Sequence, residues 1–269
     1  MAESERKQPV TFGDLTLRQQ LVYASYEAAN FAITRLPYLF AVLLMVTFAE
    51  EMKGKSISEN QKFDAVYYNL AIYFLTGTIM SFDLFSGKRV FALITCLHLM
   101  FICYQEFSRL SVREIILSKL LVRNIGNIGA YLMVAGGIAH SQRGSTKNRQ
   151  LLSFGIQIIG AYSFLNAVLI HNSSEEFNAF ATIWPGGVLA PYLAVALYTI
   201  CCIGISINVE TVMFSKILAL VLLTVSLTID MQTEYWNKAT GIKYWMTMTI
   251  AARNIGVVAV LFLERDFRR

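Results

Sequence analysis

Long stretches with almost no charge recur along the whole chain, separated by short clusters of charged residues. Each stretch runs for about 18–22 residues, which as an α-helix is long enough to cross the roughly 30 Å of hydrocarbon in a bilayer. Charged residues make up 15% of the chain, whereas a soluble domain usually carries about 25%. Isolated strands would leave backbone groups unpaired in lipid, and the alternation typical of a membrane barrel is not found in the sequence. The sequence therefore predicts an all-α, polytopic membrane protein.

About eight transmembrane helices are expected. The predicted spans are approximately residues 36–49, 64–82, 89–104, 116–139, 151–170, 188–207, 214–229 and 245–263. A lead-in from about residue 20 either lies along the membrane surface as an amphipathic helix or extends the first span, and the sequence leaves both arrangements open. Because the predicted loops are short, spans that follow one another in sequence are expected to pack side by side.

The chain also contains an internal similarity. Three pairs of segments match in the same order at offsets of about 127–130 positions: Lys88–Leu93 with Lys216–Leu220, Gln105–Phe107 with Thr233–Tyr235, and Arg123–Gly126 with Arg253–Gly256. This order predicts a cytosolic N-terminal segment (1–33), two four-helix membrane repeats (34–140 and 150–264) and a basic cytosolic tail (265–269). Repeats with an even number of spans are parallel, so a pseudo-two-fold axis along the membrane normal is expected.

Polar residues inside the predicted spans form the candidate site. Arg123 and Arg253 lie about eight residues, or roughly 12 Å, inside their spans. An unpaired arginine at that depth costs about 3 kcal/mol or more, so each needs a partner or water. The acidic residues expected at the same level are Glu50, Glu51, Glu106, Asp230 and Glu234. Asn124 and Asn254, which follow the arginines, complete a candidate intramembrane polar layer through hydrogen bonds between helices.

Two interpretations of this layer compete. In the structural one, each arginine forms a salt bridge between two helices of its own half and fixes their register. In the functional one, the layer lines a water-accessible pocket that opens away from the cytosol and binds a ligand or peptide. The duplication favours the structural interpretation, because both halves would then need the same clamp.

The sequence contains no motif of a known catalytic or cofactor site. The zinc-protease, nucleophile-elbow, phosphate-loop and dinucleotide patterns are not found in it, and no two histidines have metal-ligand spacing. We therefore expect a non-enzymatic protein without cofactor or metal, whose surroundings are the lipid bilayer and not nucleic acid. Asn172 begins the sequon Asn172-Ser173-Ser174, a weak glycosylation candidate because it directly follows a span.

The chain resembles the transmembrane protein 101 family from about Thr34 to Leu263. The similarity rests on Thr34-Arg35 before Pro37, Met80-Ser81-Phe82 leading to Arg89 and Phe91-Ala92-Leu93, Pro185-Gly186-Gly187, and Ile229-Asp230 followed by Tyr235-Trp236. This family has no established biochemical activity, only a loose association with activation of NF-kappa-B signalling. A more distant similarity to the Surfeit locus protein 4 cargo receptors and DoxX-like membrane proteins rests on Leu36-Pro37 with Phe48 and Glu50, and on Arg123-Asn124 before a glycine-rich helix.

These resemblances imply a binding role in the secretory pathway. The first hypothesis is a receptor or adaptor that binds a membrane or secretory protein, in the endoplasmic reticulum, the Golgi or the plasma membrane. The dilysine retrieval signal of the distant relatives is not present in Arg265–Arg269, which puts cycling between organelles in doubt. The alternative is a small-molecule or lipid transporter or channel that uses the polar layer. The near absence of charge from the central and cytosolic thirds of the predicted spans counts against conduction.

The distribution of lysine and arginine in the short loops predicts the orientation. Twelve of them fall on the side of the two termini and eight on the opposite side, and the positively charged side faces the cytosol. Epitope tags on both termini should therefore bind antibody when only the plasma membrane is permeabilised. A tag inserted between Ser174 and Asn178 should not bind antibody under the same conditions, and an accessible tag there would reverse the predicted orientation.

Overall fold

The computed structural model describes residues 16–52, 60–82, 87–108, 114–139 and 147–264, and this part of the chain consists of helices joined by short turns, without strands. The helices are α1 (Leu17–Met52), α2 (Asn60–Phe82), α3 (Lys88–Ser108), α4 (Glu114–Ala135), α5 (Arg149–Asn172), α6 (Ser174–Ile183), α7 (Leu189–Ser206), α8 (Thr211–Val225), α9 (Thr233–Thr240) and α10 (Tyr244–Leu263). A π-helical turn, Ser226–Asp230, continues α8. The predicted all-α class is confirmed.

Six of the described helices are long and apolar enough to cross a membrane, as judged by length and composition. They are α1, α3, α5, α7, α8 with its π-helical turn, and α10. The helix α4 is not among them, and it carries Lys119, Arg123, Asn124 and Asn127 in its sequence. These polar side chains lower its hydropathy, and they are buried against protein.

The predicted lead-in and first span form one continuous helix. Helix α1 has 36 residues and contains Pro37, which at 1.5 Å per residue gives a length of about 54 Å. Proline has no N–H, so the carbonyl of Ile33, four residues earlier, loses its helical partner. The hydroxyl of the fully buried Tyr131 on α4 lies 3.4 Å from that carbonyl oxygen and donates to it. A side chain from a neighbouring helix thus compensates for the proline inside α1.

Helices that follow one another in sequence pack together, as the short loops predicted. Helix α4 packs against α3, α5 and α10, while α10 also packs against α1 and α8. The two short helices α6 and α9 lie at the end of the bundle where α4 and α10 begin, since the Tyr235 hydroxyl on α9 donates to the Glu175 carbonyl on α6 at 2.9 Å. At the same end, the Lys243 ammonium at the start of α10 donates to the Glu50 carbonyl near the end of α1 at 3.2 Å.

The closest backbone approach between α4 and α5 occurs at two glycines. A Cβ atom built on Gly155 would lie 2.8 Å from the carbonyl oxygen of Gly129 and 3.0 Å from the backbone nitrogen of Met133. Any side chain at Gly155 would push the two helices apart, because these obstacles are backbone atoms that rotamer changes do not move.

Gly155→Ala should therefore lower the free energy of unfolding by about 1–3 kcal/mol. Gly160→Ala on the same helix is the matched control, because its Cβ would meet only side-chain atoms, the nearest at 3.3 Å. Thermal unfolding of the purified protein in detergent measures both variants. Equal stability of Gly155→Ala and Gly160→Ala would contradict the close packing of α4 on α5.

A buried ion cluster as the candidate functional site

Asp230 lies at the centre of a buried group of charges, at the last position of the π-helical turn. Its two carboxylate oxygens receive two cations of α4: Lys119 Nζ at 3.2 Å from Oδ1 and Arg123 Nη2 at 3.0 Å from Oδ2. Lys119 and Arg123 are four positions apart, so they lie on the same face of α4. The Asp230 side chain is 0% exposed and the two cationic side chains are 2–3% exposed.

The π-helical turn sets the direction in which Asp230 points. In this turn the Met231 amide donates to the Ser226 carbonyl, five residues back, at 3.1 Å. The wider turn rotates the following side chains relative to an α-helix, and π-helical turns often occur at functional sites. The indole N–H of the buried Trp236 donates to the carbonyl of Ile229 at 2.8 Å. This bond joins α9 to the turn just before Asp230, in addition to the bond that the Ile229 carbonyl accepts from the Gln232 amide at 3.1 Å.

Glu176 on α6 supplies the second acid of the cluster and forms a salt bridge with Lys119. Burial raises the pKa of the Glu176 carboxyl above its usual value, and the Lys119 ammonium opposes this shift. The Lys119 ammonium also lies 3.7 Å from the centre of a Trp236 ring, in cation–π contact. Ser173 caps the start of helix α6: its hydroxyl accepts from the Glu176 amide at 3.1 Å.

Neutral polar side chains connect the charges into a closed ring. Arg123 Nη1 donates to the Tyr162 hydroxyl at 3.0 Å and to the Asn166 side-chain oxygen. The Tyr162 hydroxyl donates to the side-chain oxygen of Asn254 at 2.6 Å. The Asn254 amide in turn donates to Asp230 Oδ2 at 3.1 Å, and Asp230 returns to Arg123. The ring joins α4, α5, α10 and the π-helical turn.

We call this group of residues the ion cluster: Lys119, Arg123, Tyr162, Asn166, Glu176, Asp230, Trp236 and Asn254. Its formal charges, two cations and two anions, balance, and the cations are in contact with the anions. A buried charge that loses its partner destabilises a protein by about 3–5 kcal/mol. In the described part of the chain, no group of three histidine, cysteine or acidic residues could hold a metal ion. The arrangement therefore connects helices through electrostatic contacts.

Only some residues of the predicted polar layer lie together in the structure. Arg123, Asp230 and Asn254 lie in the ion cluster. The half-buried Arg253 lies beside it and donates to the Asn124 side-chain oxygen at 2.5 Å. Asn127 links the two arginine backbones, since its amide nitrogen lies 2.9 Å from the Arg123 carbonyl and 2.6 Å from the Arg253 carbonyl.

The remaining predicted site residues lie away from this centre. Glu50 is half-buried and Glu234 is exposed on α9. The side chains of Glu51 and Glu106 lie outside the part of the chain that the structure describes. Asn172 is exposed at the last position of α5.

Arg123 pairs across the two predicted halves and not within its own half as expected. It lies in the first half, whereas Asp230 and Asn254 lie in the second. The reason is the packing of α4: it contacts α10 and α5, and α10 in turn contacts α8. The α4 side chains therefore point toward the middle of the molecule.

Sequence reasoning missed five members of the ion cluster: Lys119, Tyr162, Asn166, Glu176 and Trp236. Lys119 is one of the eight basic residues assigned to the side opposite the termini in the prediction of orientation, but it is buried in α4 with 1% exposure. Its spacing with Arg123 and Asn127 places three polar residues on one helix face, a signal that could have identified it. Nothing in the sequence near Glu176, Tyr162 or Asn166 marks them as its partners, because their contact depends on how distant helices pack.

A polar cleft adjoins the ion cluster at the surface of the molecule. It is open, has a volume of about 730 Å³, and lies between the start of α6 and the end of α9. The lining residues are Ser118, Leu169, Asn172, Ser173, Ser174, Glu175, Asn237, Lys238, Ala239, Thr240 and Gly241. Ser118 and Glu175 directly precede the cluster residues Lys119 and Glu176 in sequence, so the cleft and the ion cluster share structural elements.

Six apolar helices and an all-α fold are consistent with an integral membrane protein. The chain belongs to the TMEM101 protein family, whose sequence profile matches residues 18–266. The resemblance to the transmembrane protein 101 family is thereby confirmed, whereas the comparisons do not support the more distant similarity to Surfeit locus protein 4 and DoxX-like proteins. No solved structure matches the chain.

The ion cluster predicts the effect of removing one of its charges. Arg123→Leu should lower the free energy of unfolding by about 3–5 kcal/mol, because it leaves the Asp230 carboxylate buried without its arginine. Arg253→Leu, at the equivalent position of α10, should destabilise less because Arg253 is only half-buried. Removing both Arg123 and Asp230 should recover part of the loss, as coupling within one pair requires. Thermal unfolding in detergent measures this, and an Arg123→Leu protein as stable as the wild type would contradict a structural role.

Proposed function

We propose that the protein is a non-catalytic, multi-pass membrane receptor or adaptor that binds a polar segment of a membrane or secretory protein in the cleft between α6 and α9. The observation that carries this proposal is the cleft itself, which is large, open and polar, and whose lining residues Ser118 and Glu175 directly precede the cluster residues Lys119 and Glu176. Its lining carries hydroxyl and amide groups together with one acid and one base. Such a lining fits a peptide segment with mixed polar side chains better than a strongly charged ligand.

The walls of the cleft are held in place before any partner binds. The start of α6 is capped by Ser173, and the Tyr235 hydroxyl on α9 bonds the backbone of Glu175 on α6. Helix α9 ends at Gly241, whose backbone φ of 67° is a left-handed conformation that glycine adopts easily. A preformed site loses less conformational entropy when a partner binds, which favours affinity.

The transporter alternative has less support. The cations and anions of the ion cluster are bonded to one another, and Arg123, Tyr162, Asn254 and Asp230 form a closed ring. A permeating ion or substrate would have to break contacts whose loss destabilises the fold by several kcal/mol. A structural role of the ion cluster, beside a separate binding cleft, accounts for both the paired charges and the closed ring.

We further propose that the membrane part has eight spans in two parallel repeats. The helices that correspond are α1 with α5, α2 with α7, α3 with α8, and α4 with α10. The packed neighbours follow this correspondence: α1–α2 matches α5–α7, α3–α4 matches α8–α10, and α4–α5 matches α10–α1. Arg123 and Arg253 also lie equally far into their helices, nine positions beyond Glu114 and Tyr244.

Glycine contacts give the same correspondence at residue level. A Cβ on Gly126 would touch Val257 and Tyr162, and one on Gly256 would touch Asn127 and Leu36. Tyr162 on α5 therefore corresponds to Leu36 on α1, and Asn166, one turn later, corresponds to Phe40. The partners that bind Arg123 are thus replaced by apolar residues around Arg253. This supports a duplicated scaffold in which one half has kept or acquired the polar site.

The orientation with both termini in the cytosol places the cleft, and with it Asn172, on the opposite side of the membrane. In an endomembrane this side is the lumen, where a receptor for a secretory protein would meet its partner. The buried Lys119 no longer counts as a loop charge on this side, which strengthens the predicted bias. An association with NF-kappa-B signalling would then be indirect, through the partner that the cleft binds.

Blocking the cleft tests the proposed function. Ala239→Trp places an indole in the cleft lining, whereas Asn178→Trp places one on an exposed position of α6 outside it. In proximity labelling of the full-length protein in cells, a defined set of partners should lose labelling with Ala239→Trp and keep it with Asn178→Trp. Both variants should keep the wild-type melting temperature. Identical labelling of all three proteins would contradict binding in the cleft.

A further inference from the structure

A second, smaller cleft lies at the end of the bundle opposite to the ion cluster. It has a volume of about 370 Å³ and is formed by α1 together with the last turn of α2 and the first residue of α3. Its lining residues are Glu27, Ala28, Asn30, Phe31, Thr34, Arg35, Ser81 and Lys88. The Ser81 hydroxyl donates to the Thr34 carbonyl at 3.4 Å and so aligns the end of α2 with the middle of α1. We name it the basic cleft for Arg35 and Lys88.

Lys88 is buried in the basic cleft without a protein partner. Only 9% of the residue is exposed, and in the described part of the chain its ammonium has neither a hydrogen bond nor an ion pair. An ammonium in the wall of a cleft, on a side chain that is mostly withdrawn from water, is stabilised by a bound counter-charge. Its side chain lines the cleft, so an anion bound there would supply the missing partner.

Arg35 is positioned to bind the same anion. Its guanidinium carbon lies 3.7 Å from the centre of the Phe31 ring, in cation–π contact. A guanidinium stacked on a ring keeps its N–H groups at the edge of its plane, where they can donate in pairs to the oxygens of a phosphate. Phe31 therefore orients Arg35 for bidentate binding.

The start of α3 adds a third favourable contribution. Lys88 is the first residue of this 21-residue helix, and the first helical bond joins the Phe91 amide to the Gly87 carbonyl at 2.9 Å. The positive end of the helix dipole therefore lies in the cleft beside the two cations. Glu27 contributes one negative charge to the lining, which leaves the cleft with a net positive charge.

The location of the basic cleft determines the kind of anion. Helix α2 ends and α3 begins at this level, so the cleft lies where the hydrophobic segments meet the headgroup region of the bilayer. Exposed apolar side chains of neighbouring helices, such as Phe82 and Val90, lie beside it and would contact lipid chains. Basic pockets between membrane helices are known to bind lipid headgroups. We infer that the basic cleft binds the phosphate group of an anionic phospholipid through Arg35 and Lys88.

Binding of short-chain phosphatidic acid to the full-length protein in phosphatidylcholine nanodiscs tests this inference. The wild type should bind phosphatidic acid saturably, and Arg35→Gln and Lys88→Gln should each weaken binding by about tenfold or more, because each removes a charged hydrogen bond. Arg149→Gln is the matched control: Arg149 is exposed in the first turn of α5, at the same end of the bundle, outside the basic cleft. Its affinity should stay within about twofold of the wild type.

The remaining outcomes separate a lipid from other anions. If inorganic phosphate competes as well as phosphatidic acid does, the site takes a soluble anion and the lipid assignment is wrong. If Arg149→Gln weakens binding as much as Arg35→Gln, the effect is general surface charge and no cleft site exists. Should Lys88→Gln fail to fold, Arg35→Gln decides alone, because Arg35 is exposed and its removal leaves no buried gap. A loss of partner labelling with Ala239→Trp has no bearing on these results, because the α6–α9 cleft lies at the other end of the bundle.

Discussion

Asp230 is held between two cations from one face of α4, and this contact determines how the membrane helices are arranged around it. Burying a carboxylate is unfavourable unless cations and hydrogen-bond donors surround it. Lys119, Arg123 and Asn254 meet that requirement together. They come from α4 and α10, so both helices must approach the π-helical turn before the carboxylate can be buried. Polar contacts between the helices contribute to this association beside close packing, since lipid is as apolar as most of their side chains.

Two irregularities in the helices are compensated by side chains from elsewhere in the fold. Pro37 leaves the Ile33 carbonyl without a helical donor, and the Tyr131 hydroxyl supplies one. The π-helical turn receives an additional side-chain bond, from the Trp236 indole to the Ile229 carbonyl, which also accepts from the Gln232 amide. Such compensation is required in lipid, where water cannot satisfy a freed backbone group. With these contacts, α1 continues past Pro37 as one helix. The π-helical turn after α8 ends at Asp230, which is buried.

The sequence predicted the all-α class well, because uncharged runs of membrane-spanning length are set by the bilayer alone. It also singled out Arg123, Asp230 and Asn254, since polar residues in an apolar helix are conspicuous. It could not identify Glu176 or Tyr162, whose roles depend on α6 and α5 reaching α4 in space. Glu234 is the opposite case. The sequence placed it in the polar layer, but it is exposed because it lies on α9, a separate short helix.

The two ends of the bundle place their charged residues in different surroundings, and the proposed duplication would account for this difference. A parallel repeat would place equivalent groups at the same depth, and under the proposed correspondence Tyr162 and Asn166 match the apolar Leu36 and Phe40. Arg123 lies in a closed ring of bonded partners, whereas α1 would contribute apolar side chains at the corresponding positions and carries Arg35 in the basic cleft. A scaffold that repeats its packing but not its polar residues can hold a rigid cluster at one end. Such a scaffold would leave Arg35 and Lys88 at the other end available for the proposed lipid.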